Sequence, residues 1–150
     1  MNYTKESIIK LTEFVKGNKE AGKWLVDNNF KELELLYYAL KGYDGALREL
    51  KDKKYFVPAA FATAIRGNAR AFNWLIKNKK YEWAAMVRVI NKKQDAALWL
   101  QKHNLHHYLA LAIAINAELI IENEGNFLGM LSKMLKGYKG IFYYFKKNRS

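Results

Sequence analysis

Three histidines lie close together in the segment HNLHH, as His103, His106 and His107. His103 and His107 are four residues apart, and two imidazoles at this spacing on one helix can chelate zinc. The segment contains no glutamate, and the chain contains no cysteine, so neither a general base nor a thiolate accompanies the two imidazoles. His103 also shares a polar position with Asn28 and Asn78, each separated from it by a multiple of 25 residues. We therefore predict no metal site and no cofactor.

Acid–base catalysis needs suitably placed carboxylates, and residues 53–117 contain only Glu82 and Asp95. Glu82 lies 50 residues after Glu32, which favours a recurring charged face over a catalytic role. Some helical-repeat enzymes act on nucleic-acid bases, and three tryptophans offer flat rings for stacking: Trp74, Trp83 and Trp99. Each of these tryptophans recurs with the pattern described next, which assigns it to the core. We predict that the protein is not an enzyme and has no catalytic residue.

The sequence repeats itself with a period of 25 residues. One set of equivalent positions is alanine throughout, a second is leucine, and a third is apolar: Ala21, Ala46, Ala71, Ala96; Leu25, Leu50, Leu75, Leu100; Leu11, Leu36, Phe61, Met86, Leu111. A further set marks a turn: Gly17, Gly42 and Gly67, with Lys92 in the fourth unit. Such a period is typical of stacked repeats in which one unit cannot bury its apolar face alone.

Each unit contains two helical patterns. Alanine and leucine four residues apart form the apolar stripe of a first short helix, and residues such as Leu36 and Leu40 form that of a second. Glycine ends the second helix, and Asn18 or Asn68 caps the next one. The fold class we predict is all-α, an α-solenoid of stacked helix pairs with a 25-residue repeat and undetermined handedness. Residues 1–150 form one domain with four parts: an N-terminal helix (1–16), four repeats (17–116), a divergent capping pair (117–136) and an aromatic, basic tail (137–150).

The segment VPAAFATAIRGNARAFNWLIKN resembles the helix–glycine–helix part of the ankyrin repeat, with Pro58 near the start of one helix and Gly67 at its end. The ankyrin unit has about 33 residues and a β-hairpin finger, for which a 25-residue unit has no room. The resemblance implies a protein-binding scaffold without catalytic activity.

Composition agrees with a soluble cytoplasmic protein. The chain has 150 residues, 51% of them hydrophobic, which is enough for a packed core and excludes general disorder. The first residues carry charges within their apolar positions, so we expect neither a signal peptide nor a membrane anchor. No apolar run approaches the ~20 residues that a spanning helix needs.

The formal net charge of +12 is unevenly distributed. Residues 1–52 are neutral overall, whereas residues 53–117 carry eleven basic side chains against two acidic ones. We predict that the partner is acidic and binds lysines of successive loops: Lys51, Lys53, Lys54, Lys77, Lys79, Lys80 and Lys102. An acidic protein surface is the favoured partner. The alternative is a nucleic-acid backbone bound without regard to sequence, because lysine far outnumbers the arginine that base recognition uses. The oligomeric state is left open.

Overall fold

The computed structural model describes residues 3–119, which form nine α-helices and no β-strand. The helices are α1 (Lys5–Val15), α2 (Lys19–Asp27), α3 (Lys31–Leu40), α4 (Asp44–Asp52), α5 (Phe56–Ile65), α6 (Ala69–Lys77), α7 (Tyr81–Ile90), α8 (Gln94–Lys102) and α9 (His106–Glu118). The predicted all-helical class is therefore confirmed for this part of the chain. The predicted capping pair and tail lie outside the described residues, apart from the last turn of α9.

The helices fall into two sets that alternate along the chain. The inner helices α3, α5, α7 and α9 begin at residues 31, 56, 81 and 106, and the outer helices α2, α4, α6 and α8 begin at residues 19, 44, 69 and 94. Both sets therefore have the 25-residue spacing of the sequence. Inner helices bury half or more of their residues, whereas α4 and α6 each bury only one leucine. Consecutive helices pack against each other throughout the described chain.

Together with α1, which contacts α3, the inner helices form a closed circuit of contacts. Each inner helix contacts the next, and α9 also packs directly against α1. A straight or gently curving stack would keep its first and last helices apart, so this contact is a feature that the sequence pattern did not predict. It is accompanied by an ion pair of 4.0 Å between Nζ of Lys16 and a carboxylate oxygen of Glu118.

The core consists of the recurring apolar positions. Five of them, one from α1 and one from each inner helix, are completely buried: Leu11, Leu36, Phe61, Met86 and Leu111. The recurring leucines of the outer helices are also completely buried: Leu25, Leu50, Leu75 and Leu100. These short helices are marginal in isolation, so their stability comes from this shared burial.

The turns use residues that accept a left-handed backbone. Gly17, Gly42 and Gly67 have φ between 94° and 103°. Lys92, at the corresponding position, has φ 70°. The predicted asparagine cap is also confirmed, since Oδ1 of Asn18 accepts hydrogen bonds from the main chain of α2, and Asn68 does the same for α6.

Candidate functional site

The predicted partner-binding lysines lie at one end of the molecule, where the outer helices end and the inner helices begin. Lys51, Lys77 and Lys102 belong to the last turns of α4, α6 and α8. The expectation that Lys51, Lys77 and Lys102 lie in loops is therefore wrong, because the outer helices extend further than the loop composition suggested. A cation in the last helical turn is stabilised by the negative end of the helix dipole.

Lys54 and Lys79 lie in the turns themselves. Their φ values of 62° and 58° place both in the left-handed region. The following amides donate back to the outer helix, from Tyr55 to the oxygen of Leu50 at 2.9 Å and from Lys80 to that of Leu75 at 2.8 Å. This is the Schellman arrangement of helix C-termini. Two other turns between an outer and an inner helix have the same geometry, with asparagine at the left-handed position: Asn29 and Asn104.

Two of the seven lysines differ from the other five. Nζ of Lys53 donates a hydrogen bond of 2.9 Å to Glu49, and this contact raises the pKa of Lys53 and lowers that of the glutamate. Lys80 is half-buried and lines a cavity between inner helices. The other five are exposed and have no ion pair or side-chain hydrogen bond within residues 3–119: Lys51, Lys54, Lys77, Lys79 and Lys102. We call these five residues the lysine surface.

Three basic residues near the opposite end of the helices are engaged within the molecule. Nη2 of Arg66 donates to the main-chain oxygen of Ala39 at 2.9 Å, and Nη2 of Arg88 forms a 2.8 Å ion pair with Asp95. Nζ of Lys41 lies 5.4 Å from the centre of the Tyr37 ring. Arginines and lysines that already have intramolecular partners are less available to bind another molecule. Lys19, Arg70 and Lys93 also lie near that end and are exposed. The lysine surface is distinguished from them by its concentration in the last turns of the outer helices and the turns that follow.

Two exposed aromatic residues accompany the lysine surface, and sequence reasoning missed them. Phe56 and Tyr81 are the first residues of α5 and α7, and they are 52% and 46% exposed. Both directly follow the lysine-containing turns, at equivalent positions 25 residues apart. The equivalent residues in two other units are Lys31 and His106, so this position does not belong to the apolar core. An aromatic residue at such a polar position was the signal in the sequence.

The histidines do not converge on one point. The ring of His103 stacks on Trp99 with centroids 4.2 Å apart, and its Nδ1 lies 2.8 Å from the Trp99 oxygen at the end of α8. His107 lies in the first turn of α9 and lines the same cavity as Lys80. Within residues 3–119, no group of three histidine or acidic side chains is placed to hold a metal ion.

The predicted core position of the tryptophans holds fully only for Trp83, which is 1% exposed. Trp74 and Trp99 are half-buried and pack against the edge of the core. They belong to the outer helices, which within residues 3–119 pack mainly against the helices that precede and follow them in the chain. Recurrence in the sequence therefore indicated packing but not complete burial.

Comparison with known proteins gives no relative. The chain matches no protein-family model, and no curated protein or solved structure is similar to it. Among residues 3–119, no helix is both long enough and apolar enough to cross a membrane.

Proposed function

We propose that this protein is a non-enzymatic scaffold that binds an acidic macromolecule, a protein rather than a nucleic acid, through the lysine surface. One observation carries the proposal. Five exposed lysines without partners in the described chain lie in the last turns of three successive outer helices or in the turns that follow them. Two pairs of them are 25 residues apart: Lys54 and Lys79, and Lys77 and Lys102. Unpaired charges at matched positions add their fields at a partner surface.

A protein partner is favoured by the aromatic residues beside the lysines. Phe56 and Tyr81 expose large apolar rings next to Lys54 and Lys79. Aromatic side chains are enriched at the centres of protein interfaces, where their burial contributes much of the binding energy. An acidic protein segment with apolar side chains would satisfy both parts of this surface.

The fold that we propose for this scaffold is a solenoid of helix pairs that closes on itself. The 25-residue spacing of both helix sets and the ankyrin-like helix–glycine–helix segment support the repeating unit, and the contact between α1 and α9 supports the closure. In this arrangement the turns after the outer helices surround one end of the molecule. Repeat scaffolds act through such extended surfaces, which is an argument from the fold alone.

The second candidate is binding of single-stranded nucleic acid. The exposed rings of Phe56 and Tyr81 also suit base stacking, and lysines suit the phosphate backbone. Such binding would be insensitive to sequence and would weaken steeply with salt.

The test compares two defined probes and two matched variants. The probes are a fluorescent peptide of alternating glutamate and leucine residues and a fluorescent single-stranded oligonucleotide, each titrated by anisotropy at low and moderate salt. In the first variant, glutamine replaces Lys51, Lys77 and Lys102, and asparagine replaces Lys54 and Lys79. The control variant has glutamine at five exposed basic positions elsewhere: Lys19, Lys23, Arg48, Arg70 and Lys93.

Both variants lose five positive charges, so they change the overall field equally. We expect the first variant to bind the peptide at least tenfold more weakly and the control to stay within about twofold of the wild type. Equal losses in both variants would contradict a defined site and leave only a diffuse field. Tighter binding of the oligonucleotide than of the peptide would favour the nucleic-acid candidate.

A further inference from the structure

A cavity of about 240 Å³ opens where inner helices begin. Its lining comes from three inner helices, from the residues just before α7 and α9, and from the segment that precedes α1: Tyr3, Val57, Lys80, Glu82, Trp83, Leu105, His107 and Tyr108. Sites for drug-sized ligands usually have ~300–1,000 Å³, so this cavity suits a smaller molecule.

Two opposite charges line this cavity without pairing. Lys80 immediately precedes α7 and Glu82 lies in its first turn, and both are half-buried. Neither forms an ion pair or a side-chain hydrogen bond within residues 3–119. A partly desolvated charge is stabilised by an opposite charge or a hydrogen-bond partner, and here a ligand is able to supply both.

The other titratable groups of the lining are neutral at physiological pH. Burial raises the pKa of the Tyr3 and Tyr108 hydroxyls above their ordinary value, so both remain protonated donors. Burial, together with the charge of Lys5 and the neighbouring His106, lowers the pKa of His107 to about 4. The cavity therefore presents one positive and one negative charge, surrounded by uncharged hydrogen-bonding groups.

Aromatic rings form the walls between these polar groups. The Tyr3 ring meets Trp83 edge-on at 5.6 Å between centroids, and Trp83 meets Tyr108 in the same way at 5.9 Å. Val57 and Leu105 add aliphatic surface. Mutual edge contacts fix these rings in place, so the cavity keeps its shape and offers apolar contact to a ligand side chain.

We propose that this cavity binds a small zwitterion of the class of free α-amino acids, with its carboxylate at Lys80, its ammonium group at Glu82 and its side chain against the aromatic walls. An anion alone would be repelled by Glu82, and a cation alone by Lys80, whereas a zwitterion satisfies both. This site is independent of the partner bound by the lysine surface.

The experiment titrates the full chain with free amino acids by isothermal calorimetry. The panel contains glycine, leucine, phenylalanine, glutamate and lysine, and for leucine and phenylalanine also the amide, which is only a cation, and the N-acetyl form, which is only an anion. We expect leucine or phenylalanine to saturate with a Kd at or below about 1 mM, and both single-charge forms to bind at least tenfold more weakly. Failure of every free amino acid to saturate by about 10 mM would overturn the proposal, as would equal binding of a single-charge form.

Variants locate the binding. Lys80→Met and Glu82→Gln each remove one charge from the lining, and each should weaken binding at least tenfold, which corresponds to about 1.4 kcal/mol. Lys23→Met is the control, because it removes an exposed lysine of α2 that belongs neither to the cavity lining nor to the lysine surface. Thermal melts monitor folding of all three variants. If both cavity variants fold and bind like the wild type, the ligand is bound elsewhere and the proposal is wrong.

Discussion

Gly22 in α2 lies directly against the ring of Phe14 in α1: a Cβ atom added at Gly22 would be 2.6 Å from Cε1 of that ring. The Phe14 ring also packs against Tyr37, with centroids 4.2 Å apart, so it has little freedom to move away. The absence of a side chain at Gly22 therefore allows α1 and α2 to approach, and this glycine is required by packing rather than by backbone conformation.

We predict that Gly22→Ala lowers the free energy of unfolding by about 1–3 kcal/mol, even though alanine favours a helix by ~1 kcal/mol over glycine. Gly45→Ala is the matched control, because Gly45 is also helical and nothing lies within 4 Å of its added Cβ. The free energy of unfolding of this control should rise by about 0.5–1 kcal/mol. Urea denaturation measures both changes, and a stabilised Gly22→Ala variant would contradict the packing argument.

The same contact supplies a rescue experiment. At the positions 25 residues later, the small residue is Ala39 of the inner helix and the large residue is Leu47 of the outer helix, the reverse of Phe14 and Gly22. Phe14→Ala alone should cost about 3–5 kcal/mol. Adding Gly22→Phe to that variant should restore part of the loss, with a coupling energy above about 1 kcal/mol. If the changes in the free energy of unfolding of the two single variants simply add in the double variant, the two side chains do not occupy the same space.

Glu32 is a buried carboxylate whose Oε1 has no hydrogen-bond partner among the described residues, and burial raises its pKa. A raised pKa means that the folded state binds the proton more tightly than the unfolded state does. The resulting stabilisation is present below the unfolded pKa of 4.5 and is lost as pH rises through the folded value. We predict that Glu32→Met raises the free energy of unfolding at pH 7 by about 1–3 kcal/mol, and by less at pH 4.

Urea denaturation at both pH values checks the Glu32 prediction. Glu13→Met is the control, because Glu13 is also buried but lies 3.6 Å from Nζ of Lys10. Its replacement by methionine removes a paired carboxylate and should not raise the free energy of unfolding at pH 7. A Glu32→Met variant that is no more stable than the wild type at pH 7 would show that ionised Glu32 has a partner in solution.

His107 has the opposite effect on the pH dependence. Its pKa is lowered to about 4 from the ordinary 6.5, so the stability that neutral His107 contributes is present above pH 6.5 and is lost as pH falls towards 4. As pH falls from 7 to 4, the free energy of unfolding should decrease by on the order of 1–2 kcal/mol less in His107→Gln than in the wild type. This range allows for solvent screening of the half-exposed ring. Urea denaturation at pH 7, 5.5 and 4 measures the slope, and an unchanged slope in the variant would be evidence against this assignment.

Lys79 occupies a left-handed backbone position that is asparagine in two equivalent turns, at Asn29 and Asn104. This conformation costs a lysine ~1–2 kcal/mol, whereas asparagine accepts it more readily. We predict that Lys79→Asn raises the free energy of unfolding by about 0.5–1 kcal/mol while weakening binding of an acidic peptide. Lys77→Asn removes the same charge within a helical turn and should not stabilise. Equal melting temperatures of the two variants would argue against backbone strain at Lys79.

The period of 25 residues was sufficient to predict helices, their turns and the buried core. Helix spacing, glycine turns and asparagine caps depend on interactions within a few residues, and the recurring leucines are buried because only an apolar residue fits those positions in every unit. These features recur every 25 residues and depend on neighbouring residues, so they can be predicted from the sequence. The resemblance to ankyrin repeats and the identity of the partner stay predictions.

Contacts between distant units were not visible in the sequence. The packing of α9 against α1 depends on the rotation between successive helix pairs, which accumulates from small packing differences that no single position encodes. The surroundings of the seven predicted lysines also differ in the folded protein. Lys53 is paired with Glu49 by a local contact four residues apart. The tertiary structure places Lys80 at a cavity that Glu82 also lines and leaves five lysines exposed. The sequence by itself determined which residues are basic, how often they recur and the four-residue spacing that pairs Lys53 with Glu49. Only the tertiary structure decided which of the other lysines lies at a cavity and which are exposed, because that depends on how separate helices pack.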